Sequence, residues 1–358
     1  MGDHRSVASG RVRSHRQRGD QFPPGRDRRA GHAVTVGSIT FGVKLPNLSP
    51  LASRDAILTT GTTAERLGFD AVWASDHVVF TPTTEHDHPD RRFPVGFDTP
   101  AVDPLIALSL VAGATERVEL GTSVLVLANR NPVVVAKSWA SLDLLAPGRV
   151  VAGIGTGWQE NEFQALGAGE RFRRRGSATA EFIDILRTCW SDPSDGFSGE
   201  FYSFGPLFFE PRPTKEIPIL LAGRTSRGLR RVASHGDGFH GTNLSPEAAR
   251  EAITRIEEYA VEYGREHLSR RYTTLCELDL RDRPVRPDED YDGIHLVGTP
   301  EQVAERVRAF AAAGIAHLAL RVRALSGSTR KEVSNELSVS AGTEQLERFE
   351  AEVTPLLA

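Results

Sequence analysis

An aspartate and a histidine follow directly on a short apolar stretch, and their side chains could exchange protons. Residues 71–75 are typical of a buried strand, and Asp76 and His77 come at its end. Histidine has an unperturbed pKa of about 6.5, so His77 is a candidate proton donor or acceptor near neutral pH. A helix cap or a structural salt bridge is the alternative interpretation of this pair.

A glycine turn at the start of a helix could bind a phosphate group. Residues 217–221 predict a strand, and Gly223, Arg224 and Thr225 separate it from a helical segment. Free backbone N–H groups at a helix N-terminus bind anions, and the helix dipole adds to the attraction. The spacing fits neither a P-loop nor a dinucleotide-binding fingerprint, so the turn alone does not specify the ligand.

Polar and glycine residues also collect where two other predicted strands end. They are Thr122, Ser123, Asn129 and Arg130 for the strand over 118–127, and Gly155, Thr156 and Gly157 for the strand over 149–154. A predicted helix over 132–145 lies between these strands, so the segment forms a βαβ unit with parallel strands. Ligands of parallel α/β folds bind at the edge where the strands end.

The whole chain repeats this alternation of strand and helix. Eight strands are predicted, over 35–44, 71–75, 118–127, 149–154, 217–221, 236–239, 273–280 and 315–322. The sequence therefore predicts a (β/α)8 TIM barrel with insertions after strands 2 and 4. A doubly wound sheet is the alternative, and the lack of a GxGxxG motif after the first strand argues against its nucleotide-binding form.

Charge and composition indicate where the domain begins and which partners it has. The formal net charge of −4 gives no reason to expect a nucleic acid or an anionic membrane as partner. Residues 1–33 are rich in arginine and poor in apolar residues, so we expect a disordered N-terminal extension before one domain over 34–358. An upstream start codon or a nucleic-acid-binding arm are the alternative interpretations of this extension.

Cysteine usage and hydropathy point to the cytoplasm. Cys189 and Cys276 form no CxxC motif and are typical of buried thiols in a reducing compartment. No apolar run reaches the ~18 residues of a membrane helix, and no export signal is recognisable. The EHDH run at 85–88 has no identifiable third ligand group, so we expect no metal and interpret the connection over 78–102 as a substrate lid.

Five motifs resemble those of the luciferase-like monooxygenase superfamily. They are WASDHVVF (73–80), LGTSVLVLANRNP (120–132), LDLLAPGRVVAGIGTGWQENEF (142–163), GEFYSF (199–204) and PILLAGRTSRGLRRVASHGDGF (218–239). The resemblance covers about residues 35–325 and extends to the branch that uses the deazaflavin coenzyme F420. It implies hydride transfer between reduced coenzyme F420 and a small organic substrate.

The same resemblance leaves other functions open and implies partners. An FMN-dependent monooxygenase is one alternative, and a non-catalytic flavin-binding barrel is another. A separate flavin or deazaflavin reductase would supply the reduced cofactor. Barrels of this kind commonly form homodimers, and the apolar helices near 104–115 and 132–145 are candidates for the dimer face.

The resemblance also implies a role for each motif residue. Asp76 would contact the polar edge of the cofactor ring, and His77, the catalytic residue, would lie beside its reactive carbon. Ser123 and Val124 would form a non-proline cis peptide against one face of the ring. The other expected cofactor-binding residues are Asn129, Gly157 and Trp158 near the ring, and Gly223, Arg224 and Thr225 at the phosphate.

One departure from the sugar-phosphate dehydrogenases of this group concerns the substrate. Those enzymes have an acidic glutamate near the turn after strand 4, where this chain has Trp158, and their phosphate-binding lysine and arginine are not recognisable. We therefore expect a bulkier or less polar substrate than glucose 6-phosphate. Glu160 and Glu162 are back-up acids, with a solvated helical face and a brace of the barrel mouth as their respective alternatives.

Overall fold

Eight parallel strands close into a barrel in the computed structural model of this chain. They are β1 Thr40–Lys44, β2 Ala71–Ala74, β3 Glu119–Thr122, β4 Val150–Gly155, β5 Ile219–Leu221, β6 Gly238–Thr242, β7 Arg271–Leu280 and β8 His317–Val322. Each strand pairs in parallel with the next, and β8 pairs with β1, so the sheet closes on itself. The predicted (β/α)8 barrel is confirmed.

The structure describes residues 39–81, 99–191, 196–286, 293–323 and 338–358. All of them belong to one compact unit, Ala33–Ala358. The predicted extension over 1–33 and the EHDH run at 85–88 lie outside the described residues. Within these ranges, no helix is both long enough and apolar enough to cross a membrane, and no cluster of acidic, histidine or cysteine residues is suited to a metal ion.

Helices follow the strands and pack around the barrel. The α-helices are Arg54–Leu67, Pro104–Ala112, Pro132–Leu145, Glu160–Ala165, Arg175–Trp190, Ser226–His235, Pro246–Glu262, Pro300–Ala312 and Val339–Arg348. Most begin after a Ser, Thr, Asp or Asn whose side chain accepts a hydrogen bond from a backbone N–H of the first turn. Thr299 and Gln302 form a capping box, and Cys189 and Cys276 are buried free thiols.

The predicted insertion after β4 contains an antiparallel hairpin. Phe197–Ser198 pairs with Ser203–Phe204, and the Glu181 carboxylate accepts backbone N–H groups of the turn between them. The insertion after β2 lies largely outside the described residues.

Three local features add to the alternation of strand and helix. The arginine-rich segment 171–175 is helical, because the 3-10 helix Gly169–Arg174 runs directly into the next α-helix. An additional strand, Leu296–Gly298, pairs with β7, although it is too short to give a readable pattern in the sequence. The last α-helix begins at Val339, where the Ser338 hydroxyl caps it.

Trp73 on β2 fills the centre of the barrel. Gly42 on β1 and Gly121 on β3 face its indole ring, and a Cβ atom at these positions would lie 2.5 and 2.4 Å from it. No side chain fits between these strands and the indole, because protein interiors are close-packed. The two glycines are therefore required for the ring to be accommodated.

Two buried histidines complete this interior layer as neutral imidazoles. Trp73 Nε1 donates a hydrogen bond to His317 Nε2 at 2.9 Å, and the indole stacks on the His240 ring with centroids 4.8 Å apart. Burial and then the positive charge of Arg271 lower the pKa of His240 to about 3. Burial likewise lowers the pKa of His317 well below its ordinary value.

We expect acidification to destabilise the fold through His240. In the unfolded chain this imidazole binds a proton below its ordinary pKa of 6.5, whereas in the folded protein it stays neutral down to about pH 3. The unfolded state thus binds more protons between these values, and stability falls as the pH falls. From this residue alone, the free energy of unfolding should fall by about 2 kcal/mol between pH 7 and pH 5.

Urea unfolding at the two pH values measures this loss. The control is His240→Asn, whose amide does not titrate and which should lose correspondingly less stability on acidification. Equal losses in the wild type and the variant would contradict the prediction.

Candidate active site

The predicted site residues lie along one part of the rim formed by the carboxyl ends of the strands. Asp76 and His77 follow β2, Ser123 and Val124 follow β3, Gly157 and Trp158 follow β4, and Gly223, Arg224 and Thr225 follow β5. These four strands are consecutive neighbours in the barrel. Because they are parallel, all four sets of residues emerge on the same rim.

Asp76 is a buried carboxylate held by an arginine and a backbone amide. Its Oδ1 accepts a hydrogen bond from Arg130 Nη2 at 2.6 Å, and its Oδ2 accepts one from the Val126 N–H at 2.8 Å. Arg130 also reaches Asp103 at 3.2 Å. Burial lowers the pKa of Arg130, but the two carboxylates outweigh burial and raise it on balance.

His77 and Glu162 form a second buried pair of ionisable side chains at the rim. His77 Nδ1 lies 3.3 Å from Glu162 Oε2, and both side chains are almost inaccessible to solvent. Glu162 Oε1 accepts the backbone N–H of Val78 at 2.7 Å, so the carboxylate braces the chain beyond β2. The Trp158 ring packs edge-on against the imidazole with centroids 5.5 Å apart.

The two sequence alternatives for the acidic residues are resolved by this geometry. Glu160 is exposed, as a solvated helical face requires, whereas Glu162 is buried. A carboxylate beside one imidazole nitrogen orients the ring. The imidazole of His77 is thereby positioned at the rim, where ligands of parallel α/β barrels bind.

The peptide bond between Ser123 and Val124 is cis, as the resemblance implied. The Val124 side chain lies over Gly155 of β4, where a Cβ atom would meet its Cγ2 at 2.5 Å. The Ser123 hydroxyl lies 2.8 Å from His240 Nε2, so this peptide is connected to the interior layer around Trp73.

Asn129 is a buried amide without a protein partner among the described residues. Its side chain is 4% exposed, and neither Oδ1 nor Nδ2 makes a hydrogen bond. Burying an amide without hydrogen bonds costs several kcal/mol relative to water, so such groups are rarely left unpaired. The amide is therefore suited to a ligand that supplies both a donor and an acceptor.

Two arginines approach each other near Gly157 without a carboxylate between them. Arg175 Nε donates to the Gly157 carbonyl oxygen and Arg231 Nε donates to the Gly176 carbonyl oxygen, each at 2.9 Å. Burial and then the positive charge of Arg175 lower the pKa of Arg231. Neither guanidinium has an acidic partner in the described part of the chain, so an anion between them would relieve their repulsion.

The glycine turn after β5 has the expected helix-terminal geometry. Thr225 caps the helix Ser226–His235 by accepting a hydrogen bond from the Gly228 N–H. Gly223 lies against Gly228 so closely that a Cβ atom on Gly223 would come within 2.8 Å of its backbone. Arg224 is exposed, and the phosphate-binding role of this turn stays a prediction. Arg231 lies on the same helix, one turn further along.

The structure thus brings most of the predicted site residues to the same rim. Their contact partners, however, could not be read from the sequence. Asp76 is joined to Arg130, His77 to Glu162 and Trp158, and Ser123 to His240. Sequence reasoning missed Arg175, Arg231 and His240. Their only signal was charge or polarity within otherwise ordinary elements, and nothing in the sequence shows that Arg175 and Arg231 approach each other.

Comparisons with known proteins show the family of this chain. Residues 34–276 match the protein-family model described as luciferase-like monooxygenase. The chain is 34% identical over 184 residues to the pyrimidine monooxygenase RutA of Allorhizobium ampelinum, covering 48% of this chain and 50% of that one. It is 36% identical over 177 residues to an F420-dependent glucose-6-phosphate dehydrogenase of Kineococcus radiotolerans, covering 49% of each. The chain spans about half the length of these curated relatives.

A solved structure shares the fold. An F420-dependent secondary alcohol dehydrogenase, in complex with an F420-acetone adduct, aligns with a TM-score of 0.69 at 22% identity. The alignment covers 89% of this chain and 99% of that one, so the likeness extends over the whole barrel.

Removing Arg130 should destabilise the protein strongly. In Arg130→Met the buried Asp76 carboxylate loses its charged partner, so the free energy of unfolding should fall by about 3–5 kcal/mol at pH 7. Arg54→Met is the control, because it breaks the exposed Arg54–Asp55 pair and should change stability by less than about 0.5 kcal/mol. Urea unfolding of both variants measures the difference, and similar small effects would show that Asp76 does not depend on Arg130.

Proposed function

The chain belongs to the luciferase-like monooxygenase family, and within it we propose an oxidoreductase that transfers hydride between reduced coenzyme F420 and a small organic substrate. The buried His77–Glu162 pair at the rim carries this proposal, because reduction of a carbonyl, imine or alkene needs one proton for each hydride. The relatives named as F420-dependent enzymes support the choice of cofactor.

The residues at the rim fit such a cofactor. The unpartnered Asn129 amide suits the alternating donors and acceptors of a deazaflavin ring edge. Each oxygen of Asp76 accepts one hydrogen bond from the protein and keeps acceptor capacity for a ligand. Arg175, Arg231 and the glycine turn at 223–225 suit the cofactor phosphate. These residues would hold the two ends of one elongated anionic molecule.

The protein's own part in the reaction is positioning and proton transfer. When bound, the deazaflavin gives or accepts a hydride at its reactive ring carbon. Glu162 beside Nδ1 would orient the His77 ring, and the imidazole would donate a proton to the substrate as it is reduced or accept one from an alcohol as it is oxidised. Trp158 beside the imidazole supplies an apolar wall that limits access of water.

An FMN-dependent monooxygenase is the second candidate. It is favoured by the relative named pyrimidine monooxygenase, and the same amide and arginines would suit FMN. That function would require a flavin reductase as partner to supply the reduced cofactor. A non-catalytic flavin-binding barrel would bind the cofactor but show no turnover.

A homodimer is part of the proposal. Four apolar side chains, Ile106, Val134, Leu144 and Leu145, are more than half exposed on helices Pro104–Ala112 and Pro132–Leu145. A second copy of the chain would remove this apolar surface from water. The mass of the protein in sedimentation decides between monomer and dimer.

Cofactor titration tests the proposed function. We expect the protein to bind coenzyme F420 with micromolar affinity and FMN at least about tenfold more weakly, a difference of about 1.4 kcal/mol. Quenching of tryptophan fluorescence and cofactor absorbance measure binding, because Trp158 lies at the rim. Tighter binding of FMN would favour the monooxygenase, and binding of neither would overturn both candidates.

Neighbouring arginines provide a matched control for the anion site. Arg231→Met should weaken binding of either cofactor by about tenfold or more, because one of the two unpaired cations is lost. Arg230→Met on the same helix removes an arginine that already pairs with Glu262 and should leave binding unchanged.

His77→Ala should abolish turnover while leaving cofactor affinity within about tenfold. The assay follows the cofactor absorbance with ketones, imines and alkenes as oxidants, or with alcohols as reductants. His267→Ala is the control, since His267 is exposed and far along the chain from the rim residues. Full turnover in His77→Ala would show that another group handles the proton.

A further inference from the structure

Ser123 is held from two sides of the barrel. Its backbone N–H donates to the Ala74 carbonyl oxygen at 2.7 Å, and its carbonyl oxygen accepts from the Ser75 hydroxyl at 3.0 Å. On the other side, its own hydroxyl lies 2.8 Å from His240 Nε2 on β6. The side chain of Ser123 is only partly buried, so it borders the space at the rim as well as the interior.

The hydrogen bonds around His240 determine which nitrogen carries its proton. Thr273 donates its only hydroxyl proton to the Phe239 carbonyl oxygen at 3.0 Å. Thr273 must therefore accept from His240 Nδ1, which lies 2.7 Å from its oxygen. A neutral imidazole protonated on Nδ1 has an acceptor at Nε2, so the Ser123 hydroxyl donates to it.

A second chain of bonds holds the His240 ring in place. Trp73 donates to His317 Nε2, so His317 is also protonated on Nδ1 and donates to the Thr40 hydroxyl at 2.8 Å. The Thr40 hydroxyl in turn donates a hydrogen bond to the Ala316 carbonyl oxygen at 3.1 Å. The orientation of Trp73 is thereby fixed, and its indole stacks on the His240 ring. Rotation of that imidazole would break two hydrogen bonds and the stacking contact.

We propose that His240 is a positioning residue, which fixes Ser123 at the rim and makes its hydroxyl an obligate hydrogen-bond acceptor toward the ligand. Ser123 has a single hydroxyl proton, and His240 takes it, so only the lone pairs of Oγ remain for a molecule at the rim. The ligand group that meets Ser123 is therefore an N–H or O–H donor. This inference rests on the proposed function for the identity of the ligand, a reduced deazaflavin or flavin with its substrate.

The bond between His240 and Ser123 is tested first without any cofactor. Nitrogen-15 NMR of the imidazoles in the cofactor-free protein should show one ring protonated on Nδ1 whose signals are absent from His240→Asn. In Ser123→Ala the Nε2 signal of the same ring should move, because it loses its hydrogen bond. A ring protonated on Nε2, or an Nε2 signal that Ser123→Ala leaves in place, would overturn the proposal.

A double-mutant cycle then tests the effect on the ligand. His240→Asn and Ser123→Ala should each weaken binding of the reduced cofactor by about fivefold, and the double variant by no more than either alone. His240→Gln, whose amide oxygen can take the place of the Nε2 acceptor, should retain the wild-type affinity within about twofold. Effects that multiply in the double variant, or no rescue by glutamine, would show that His240 does not act through Ser123.

The two experiments separate this inference from the proposed function. A wild-type protein that binds neither cofactor would overturn the proposed function and the ligand assignment, and the NMR spectra would still decide the His240–Ser123 bond. Melting temperatures of all variants serve as the reference, since a purely structural role would lower stability without the coupled loss of affinity.

Discussion

The space inside the barrel is the constraint on which the rest of the structure depends. The indole ring of Trp73 occupies its centre, and two glycines on the flanking strands leave room for it. The hydrogen bond from the indole to His317 and its stacking on His240 connect β2 to β6 and β8 across the interior. The interior layer around Trp73, made of uncharged polar and aromatic groups, therefore lies beneath the rim. Ser123 connects the rim to this layer through its contact with His240.

Charge is distributed unevenly along the rim. Near β2 the buried ionisable side chains lie in pairs, Asp76 with Arg130 and His77 with Glu162. Beyond β4 the charges are not compensated within the described chain, because Arg175 and Arg231 approach each other at the end of the rim near the glycine turn. The site thus has a neutral end suited to a ring and a cationic end suited to an anion. This difference in charge between the two ends would orient an elongated anionic cofactor before it contacts individual side chains.

Periodicity and turn chemistry were enough to predict the barrel, since each strand is a short apolar run and most helices start with a capping side chain. The position of Asp76 and His77 at the rim followed from the same reasoning, because the exit of a parallel strand faces the ligand side. The partners of these residues could not be predicted. Arg130 lies 54 residues beyond Asp76, and the pairing depends on how the loop after β3 folds back. The additional strand Leu296–Gly298 has only three residues, too few for a pattern.

Some of the roles implied for the site residues can be compared with the structure, and others cannot. The cis peptide at Ser123–Val124 was implied by the resemblance and is present, whereas the contacts of Asp76, Asn129 and the glycine turn with a cofactor stay predictions. The neutral form of His240 could not be anticipated, because a histidine in a strand gives no sign of the carbonyl and hydroxyl groups that will surround it.

Glu162 connects the side chain of His77 with the backbone that follows it. One of its oxygens faces the imidazole of His77, and the other receives the backbone amide of Val78 at the start of the long connection after β2. The orientation of the imidazole and the position of that amide therefore depend on a single carboxylate, and by thermodynamic reciprocity each contact influences the other. A displacement of the backbone after β2 would in this way be felt at the histidine, and a rotation of the histidine would be felt by the backbone.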